Sequence, residues 1–144
     1  MKFEFSAGGV VFTQDDAGHL NIIVSQHSQH HGWVFPKGLI GDKIQGETKE
    51  NTAIREVEEE AGVKGEILKP LTPVMYWYQM DGQKIKKTVY YFLMRYVSGD
   101  IAVHDHEMEN VEWVPLSAVE QKLTYKSDKI VWQEAKKLLE GGVA

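Results

Sequence analysis

Residues 41–63 read GDKIQGETKENTAIREVEEEAGV, and the rest of the chain is best understood from this segment outward. Apolar residues recur in it at helical spacing, namely Ala53, Ile54, Val57 and Ala61. That spacing predicts a helix over residues 47–61. Gly62 follows as a C-terminal stop, because glycine adopts the left-handed conformation of a helix cap without strain.

Three carboxylates fall on one face of this predicted helix. Glu56, Glu59 and Glu60 stand at positions i, i+3 and i+4, so their side chains project together, whereas Glu58 points away. A divalent cation would offset the repulsion between them, and oxygen-only ligands suit Mg²⁺, with Mn²⁺ as the alternative. On composition alone, a solvated acidic helix face is the commoner explanation of such a run.

The order of the residues favours the metal-binding interpretation. The fixed positions are Gly41, Glu47, Arg55, Glu56, Val57, Glu59, Glu60, Gly62 and Val63. Their spacing resembles the Nudix box, Gly-x5-Glu-x7-Arg-Glu-U-x-Glu-Glu-x-Gly-U, where U is apolar, at every specified position. Nine positions at fixed spacing rarely coincide by chance, so the resemblance outweighs the composition.

The resemblance to the Nudix family implies a fold and a set of roles. The implied fold is α/β, an α/β/α sandwich with a mixed β-sheet between helices. Glu56, Glu59 and Glu60 are implied metal ligands, and Glu56 and Glu59 are also candidate catalytic residues, with Glu56 the candidate base. Arg55 is implied to act in catalysis by orienting the carboxylates and pairing with Glu47.

The segment just before the box departs from the family pattern. Pro36-Lys37-Gly38 commonly supplies the first glycine of the box, but here it lies three residues further upstream and Gly41 fills that position. We therefore expect a longer loop over residues 39–46. By resemblance, the backbone carbonyl of Lys37 completes the metal shell, and its ammonium group brings a positive charge to a substrate phosphate.

A histidine-rich segment, residues 26–32, precedes this point. His27, His30 and His31 invite a zinc interpretation, but no cysteine or nearby carboxylate completes a set of ligands, so we expect an exposed loop. His31 is the candidate phosphate contact, because it lies immediately before the segment that leads into the box.

An aromatic hairpin is predicted after the helix. Residues 63–80 indicate an extended arm, Asp81-Gly82 indicates a turn, and residues 84–97 indicate a central strand. Alternation places Tyr76 and Tyr78 on one face and Trp77 on the other. Such aromatic residues are most often core. The hairpin is nevertheless similar to that of the diadenosine tetraphosphate hydrolase branch of the family, which implies substrate contacts by Tyr78, by Lys87 at the strand entry and by Tyr125.

One further metal ligand is implied by the resemblance. Many Nudix enzymes carry an additional glutamate in a loop opposite the box helix, and residues 98–110 supply three candidates, Asp105, Glu107 and Glu109. Glu107 is the preferred ligand on resemblance.

The remaining elements follow from hydrophobic patterning. Strands are expected at residues 3–13 and 19–26 as an antiparallel hairpin, with Ala7-Gly8-Gly9 allowing a close approach, and at residues 111–114. One helix is expected at residues 116–122. A final amphipathic helix, capped by Ser127-Asp128, is expected to end at residue 139. Its inward-facing residues are predicted to be Ile130, Val131, Ala135, Leu138 and Leu139.

Composition limits the classes of function. The 144 residues suit a single domain over residues 1–144, monomeric or homodimeric. A net charge of −5 without a basic run argues against a stable nucleic-acid partner, and the absence of cysteine excludes thiolate catalysis. The polar start and the lack of a long apolar run predict a cytoplasmic protein without membrane association.

The resemblance to the Nudix family implies a metal-dependent pyrophosphohydrolase, with Mg²⁺ as the expected ion and Mn²⁺ as the alternative. Its substrate is expected to be a small nucleotide in which a nucleoside diphosphate is linked to another group, with diadenosine tetraphosphate as the first choice. The alternatives are oxidised or ordinary nucleoside triphosphates, nucleotide sugars, RNA 5′ ends and inositol pyrophosphates. A non-catalytic nucleotide-binding domain is a further alternative, which the intact box disfavours.

Overall fold

The computed structural model describes residues 1–41 and 43–142. Asp42, which belongs to the loop expected over residues 39–46, and the last two residues of the expected domain lie outside the described residues. The elements in chain order are β1 (Lys2–Gln14), β2 (Leu20–His27), β3 (Trp33–Val34), β4 (Lys37–Leu39), α1 (Lys49–Ala61), β5 (Val63–Pro70), β6 (Val74–Met80), β7 (Gln83–Gly99), β8 (Met108–Pro115), α2 (Val119–Lys122) and α3 (Lys126–Glu140).

Within the described residues, eight strands form one mixed sheet. Its main order is β3-β2-β1-β7-β5, while β4 pairs with β1, β6 with β7 and β8 with β2. The neighbours β1 and β7 run parallel, and the other pairs run antiparallel. The long strand β7 is central, as predicted, because it pairs with β1 along one edge and with β5 and β6 along the other.

Helices cover both faces of this sheet. On one face, α1 buries Ala53, Val57 and Ala61 against a cluster that includes Val11 and Met94. On the other face, the helix α3 contributes Val131, Trp132, Ala135 and Leu139 to a second cluster. The α/β/α sandwich with a mixed sheet is therefore confirmed. None of the helices in residues 1–41 and 43–142 is long and apolar enough to cross a membrane.

The box helix begins later than its apolar pattern indicates. The side chain of Thr48 accepts a hydrogen bond from the backbone N–H of Asn51 at 3.1 Å, so Thr48 is the N-cap and α1 starts at Lys49 rather than at Glu47. The predicted stop is present, because Gly62 has φ 78° and donates its N–H to the carbonyl of Glu58.

The final helix differs from the prediction in its cap and in its inner face. Helix α3 starts at Lys126 after Tyr125, so Ser127 and Asp128 are not its cap. The side chain of Asp128 instead accepts a hydrogen bond from the backbone N–H of Phe35. Ile130 is exposed, and the neighbouring Trp132 takes the buried position, because the apolar face is rotated from the one predicted.

Three other predicted boundaries also shift. The extended arm over residues 63–80 is two strands, β5 and β6, separated at residues 71–73. The loop expected over residues 98–110 is shorter, because β7 extends to Gly99 and β8 begins at Met108. The helix expected over residues 116–122 is a 3₁₀ turn followed by α2.

Close backbone approach at Gly8 positions the entry to the site. A Cβ atom at Gly8 would lie 2.1 Å from the carbonyl oxygen of Pro36, and the neighbouring Gly9 donates its N–H to that oxygen at 3.1 Å. Strand β4 can therefore lie directly against β1, with Lys37 paired to Gly8. This contact fixes the Pro36-Lys37-Gly38 segment beside the box helix.

Candidate active site

A guanidinium group organises the carboxylates of α1. Arg55 donates from Nε to Glu47 Oε2 at 2.9 Å and from Nη2 to Glu47 Oε1 at 2.8 Å, so the predicted pairing is present and bidentate. Its Nη1 donates to Glu59 Oε2 at 3.0 Å and lies 3.4 Å from Glu56 Oε2. These carboxylates raise the pKa of Arg55, and Arg55 lowers the pKa of Glu47. Arg55 thus fixes the orientation of three glutamates.

Two of the three box glutamates face a cavity. Glu56 and Glu60 are 5% and 6% exposed and line a cavity of about 520 Å³ together with Lys37, Lys87 and Glu107. Gly38 allows this arrangement, since a Cβ atom there would lie 2.0 Å from a carboxylate oxygen of Glu56. The cavity therefore combines acidic and basic groups from separate elements.

The carboxyl group of Glu60 is costly to ionise in this position. Burial raises its pKa to about 8, and the charges of Glu56 and Asp105 act in the same direction, whereas Lys37 opposes them. The backbone N–H of Lys37 donates to Glu60 Oε1 at 3.4 Å. A positive charge brought to the cavity would stabilise the ionised form.

The third box glutamate is turned to other partners. Glu59 does not belong to the described lining of the cavity; its Oε1 is ion-paired with the ammonium group of Lys43 and its Oε2 with Arg55. Lys43 comes from the loop between β4 and α1 and also lines the cavity. The convergence predicted for the three glutamates is therefore seen for Glu56 and Glu60 but not for Glu59.

The chemistry of these donors fits a hard divalent cation. Among residues 1–41 and 43–142, no three histidine, cysteine, aspartate or glutamate side chains are already grouped as a metal site. The buried carboxylates of Glu56 and Glu60 nevertheless repel each other, and Glu107 adds a third acidic group to the same lining. Oxygen donors of this kind hold Mg²⁺ or Mn²⁺ rather than softer metals.

The structure distinguishes the three acids of the loop before β8. Glu107 lines the cavity, and its backbone N–H is held by the side chain of Asp105 at 3.1 Å. Asp105 is anchored to α1 by its own N–H, which donates to the carbonyl of Glu59 at 3.1 Å. Glu109 is paired with His31. Only Glu107 of these three belongs to the lining of the cavity.

Tyrosines and a lysine from the β6–β7 hairpin also line this cavity. Tyr76 and Tyr78 have ring centroids 6.4 Å apart, and the register places Tyr76 directly across from Lys87. The hydroxyl of Tyr78 donates to Glu4, and burial raises the pKa of Tyr78 to about 12. Lys87 is half-buried, and the loss of solvent lowers the pKa of its ammonium group. Phosphate oxygens would be suitable partners for this ammonium group.

A second cavity of about 460 Å³ adjoins the first. The two share His30, Val34, Lys37, Tyr76 and Tyr78 in their linings. Tyr125 belongs to the second cavity, where its hydroxyl is 2.9 Å from Nδ1 of His30. The buried carboxyl group of Asp128 also lines it, and burial raises the pKa of that group. Aromatic walls with a buried hydrogen-bonding group suit a nucleobase.

The structure places some of the predicted substrate contacts at the cavities and one of them elsewhere. Lys37, Tyr78, Lys87 and Tyr125 line one or both cavities. His31 lines neither, because its φ of 61° turns it toward Glu109, and His30 faces the cavities instead. The sequence signal for His30 was present but ambiguous, since it lies in the same histidine-rich segment.

Sequence reasoning missed two further residues of the site. Asp128 has the spacing of a helix cap, which concealed its contact with Phe35, 93 residues away in the chain. Lys43 is one of many surface-type lysines in the sequence, and only the length of the loop over residues 39–46 could have drawn attention to it.

The chain matches a known protein family. The family described as NUDIX domain matches residues 3–134 of the chain. Among solved structures, an Ap4A hydrolase of C. elegans, crystallised as a binary complex, superposes with a TM-score of 0.74 and 27% identity, covering 96% of this chain and 98% of that one.

Two curated relatives come from mycobacteria. The MutT4 protein of Mycobacterium tuberculosis is 39% identical over 108 residues, which are 75% of this chain and 42% of the relative. An 8-oxo-(d)GTP phosphatase of Mycolicibacterium smegmatis is 27% identical over 139 residues, 90% of this chain and 41% of the relative. The chain spans about two fifths of the length of these curated relatives.

Proposed function

Since this chain belongs to the Nudix family of hydrolases, we propose that it hydrolyses a phosphoanhydride bond in a dinucleoside polyphosphate, with diadenosine tetraphosphate as the first candidate. The observation that carries this proposal is the pair of adjoining cavities with a shared tyrosine wall. One cavity holds the acidic groups and lysines, and the other is mainly aromatic. Together they offer space for a phosphate chain and for a base at its end.

The acidic cavity supplies the reactive centre. Glu56, Glu60 and Glu107 would hold a divalent cation there, together with the backbone carbonyl of Lys37 and with Glu59. A cation of this kind polarises a phosphoryl oxygen and lowers the pKa of bound water. Glu56 is the proposed base, which accepts a proton at its carboxylate as water attacks phosphorus and the anhydride oxygen leaves with the other phosphate. Arg55 keeps the Glu56 carboxylate in place through its 3.4 Å contact.

The basic and aromatic groups position the substrate. Lys37 and Lys87 offer two ammonium groups to the phosphate oxygens, and both line the same cavity as the glutamates. Tyr76 and Tyr78 offer ring faces, and a stacked base contributes about 1–3 kcal/mol to binding. Tyr125, held by His30, closes the second cavity. His31, a candidate from the sequence, is replaced by His30 in this scheme.

An oxidised nucleoside triphosphate is the second candidate substrate. One curated relative is an 8-oxo-(d)GTP phosphatase, and the buried Asp128 in the second cavity could pair with the edge of a purine. A single base with a triphosphate would occupy both cavities as well.

Product identification separates the two candidates. The protein with Mg²⁺ should be tested on diadenosine tetraphosphate, diadenosine triphosphate, 8-oxo-dGTP, dGTP and a nucleotide sugar at equal concentrations. We expect the highest kcat/KM for diadenosine tetraphosphate, with ATP and AMP as products. Faster cleavage of 8-oxo-dGTP to the monophosphate would overturn the dinucleotide assignment but not the hydrolase assignment. No cleavage of any compound would overturn both.

A further inference from the structure

Lys43 occupies an unusual position between the acidic cavity and the box helix. It comes from the loop that follows β4, where the glycine that begins the box lies three positions after Gly38. Its ammonium group is ion-paired with Oε1 of Glu59, and its side chain also lines the cavity that contains Glu56 and Glu60. Lys43 therefore contacts Glu59, a candidate metal ligand, and also faces the cavity that is proposed to hold the substrate.

The two cations on Glu59 are held very differently. Arg55, on Oε2, is 16% exposed in its side chain and also makes two hydrogen bonds to Glu47. Lys43, on Oε1, is 55% exposed and has a flexible four-carbon stem. Replacing Arg55 would break a buried network, whereas replacing Lys43 breaks one exposed ion pair. Oε1 is thus the oxygen of Glu59 that can change partner.

We propose that Lys43 is an exchangeable cation of the active site: it neutralises Glu59 in the metal-free protein and moves to the phosphate chain of the substrate when Glu59 binds a divalent cation. This inference rests on the proposed function, since it requires a cation at the box glutamates. Lys43 fills one of the unspecified positions between Gly41 and Glu47, in the loop over residues 39–46.

Electrostatics supports both halves of the exchange. A divalent cation at Glu59 repels the ammonium group of Lys43 over a distance of a few ångströms, so Lys43 must leave Oε1. Its nearest alternative partners are anions in the cavity that it already lines. Lys37 and Lys87 lie in the same lining, so a phosphate chain there would meet three ammonium groups from three separate elements.

Direct metal binding tests the first half. Mn²⁺ binding to the protein without substrate should be measured by electron paramagnetic resonance for the wild type, Lys43→Met, Lys43→Arg and Lys64→Met. We expect Lys43→Met to bind Mn²⁺ about two- to fivefold more tightly, because the competing ion pair is gone. Lys43→Arg should resemble the wild type. Lys64, an exposed lysine of β5, gives the matched charge control and should have little effect.

Ionic strength sharpens this measurement. The gain in Lys43→Met should shrink in high salt, because salt screens an exposed ion pair. An unchanged or weaker Mn²⁺ affinity in Lys43→Met at low salt would overturn the exchange. If the wild type binds no Mn²⁺, the proposed function fails as well. A failure of the exchange alone therefore gives a different result, namely Mn²⁺ binding that Lys43→Met does not strengthen.

Steady-state kinetics tests the second half. At saturating Mg²⁺, Lys43→Met should raise KM for diadenosine tetraphosphate about fivefold or more, since a charge-assisted contact to phosphate is lost. Lys43→Arg should recover most of this loss. In Lys43→Met, the inhibition constant of AMP, which has one phosphate, should change less than KM for diadenosine tetraphosphate. An unchanged KM would show that Lys43 does not move to the substrate and would overturn the proposal.

Discussion

The box helix and the β6–β7 hairpin form two walls of the same cavity but are specified in different ways. On α1, the groups that matter are neighbours in sequence, and the helical repeat alone brings Glu56 and Glu60 to one face. In the hairpin, Tyr78 is held by Glu4, which is 74 residues away, and Tyr76 is set against Lys87 by strand register. Local spacing therefore determines the reactive wall, and tertiary pairing determines the substrate wall.

The two walls also differ in electrostatic cost. On α1, burial and the charge of Glu56 raise the pKa of Glu60, and a bound cation would offset this cost. The hairpin wall is stable as it stands, since each tyrosine packs or donates a hydrogen bond. Substitutions on α1 should therefore affect turnover, and substitutions on the β6–β7 hairpin should affect substrate binding.

The largest effect is expected at Glu56. The change Glu56→Gln removes both a charge and the proposed base, so kcat should fall by about two to four orders of magnitude at saturating Mg²⁺. Glu58→Gln is the matched control on the same helix, because Glu58 is exposed and should be nearly silent. Steady-state rates with circular dichroism as a check of folding would measure this. A Glu56→Gln enzyme with near-normal kcat would remove Glu56 from the mechanism.

A smaller effect, on KM rather than kcat, is expected at Tyr78. Loss of one stacking surface in Tyr78→Ala predicts a rise in KM of about five- to 150-fold for a dinucleotide. Trp77→Ala is the control, since Trp77 lies on the opposite face of β6, where the ammonium group of Lys84 is 4.7 Å from its ring centroid. If Tyr78 is only a packing residue, Tyr78→Ala will lower Tm and leave KM unchanged.

The difference between local spacing and tertiary pairing also explains how far the structure could be predicted from the sequence. Apolar spacing predicted α1 and its stop at Gly62, and the resemblance of the box implied the pairing of Arg55 with Glu47. The family resemblance predicted the sandwich. Both depend on short-range patterns, which a single sequence contains in full.

Contacts between distant segments could not be predicted in this way. The sequence predicts Asp128 as part of a helix cap, whereas it accepts a long-range hydrogen bond from Phe35, because both roles use the same residue type. Glu59 was expected to join its two neighbours, but its two carboxylate oxygens are paired with Arg55 and with Lys43 from the loop between β4 and α1. The inner face of α3 was misplaced because Ile130 and Trp132 both fit an apolar stripe, and only packing decides between them.

Glu107 is expected to have a more modest effect on the metal dependence. It belongs to the lining of the cavity, whereas Glu109 is paired with His31 and Asp105 supports the loop. Glu107→Gln should raise the Mg²⁺ concentration required for half-maximal activity about tenfold, and Glu109→Gln should leave it unchanged. Asp105→Asn should have a weaker effect through the loop. Equal shifts in all three variants would mean that the loop contributes diffuse charge rather than a ligand.

The smallest effect is expected on the pH dependence of stability at Glu60. It separates the stability cost of burying this carboxyl group from its role in catalysis. Its pKa of about 8 in the folded protein exceeds the value of 4.5 for an unperturbed glutamate. Between these two values the folded state binds the extra proton, so this group makes the protein less stable as pH rises from about 5 to 8. Glu60→Gln removes the titration, and in EDTA its Tm should exceed that of the wild type by several degrees at pH 8 but only slightly at pH 5. Because the other titrating groups are common to both proteins, the difference between the two Tm curves isolates Glu60. Mg²⁺ should raise the Tm of the wild type more than that of Glu60→Gln at pH 8, and parallel curves in EDTA would contradict the assignment of the strain to Glu60.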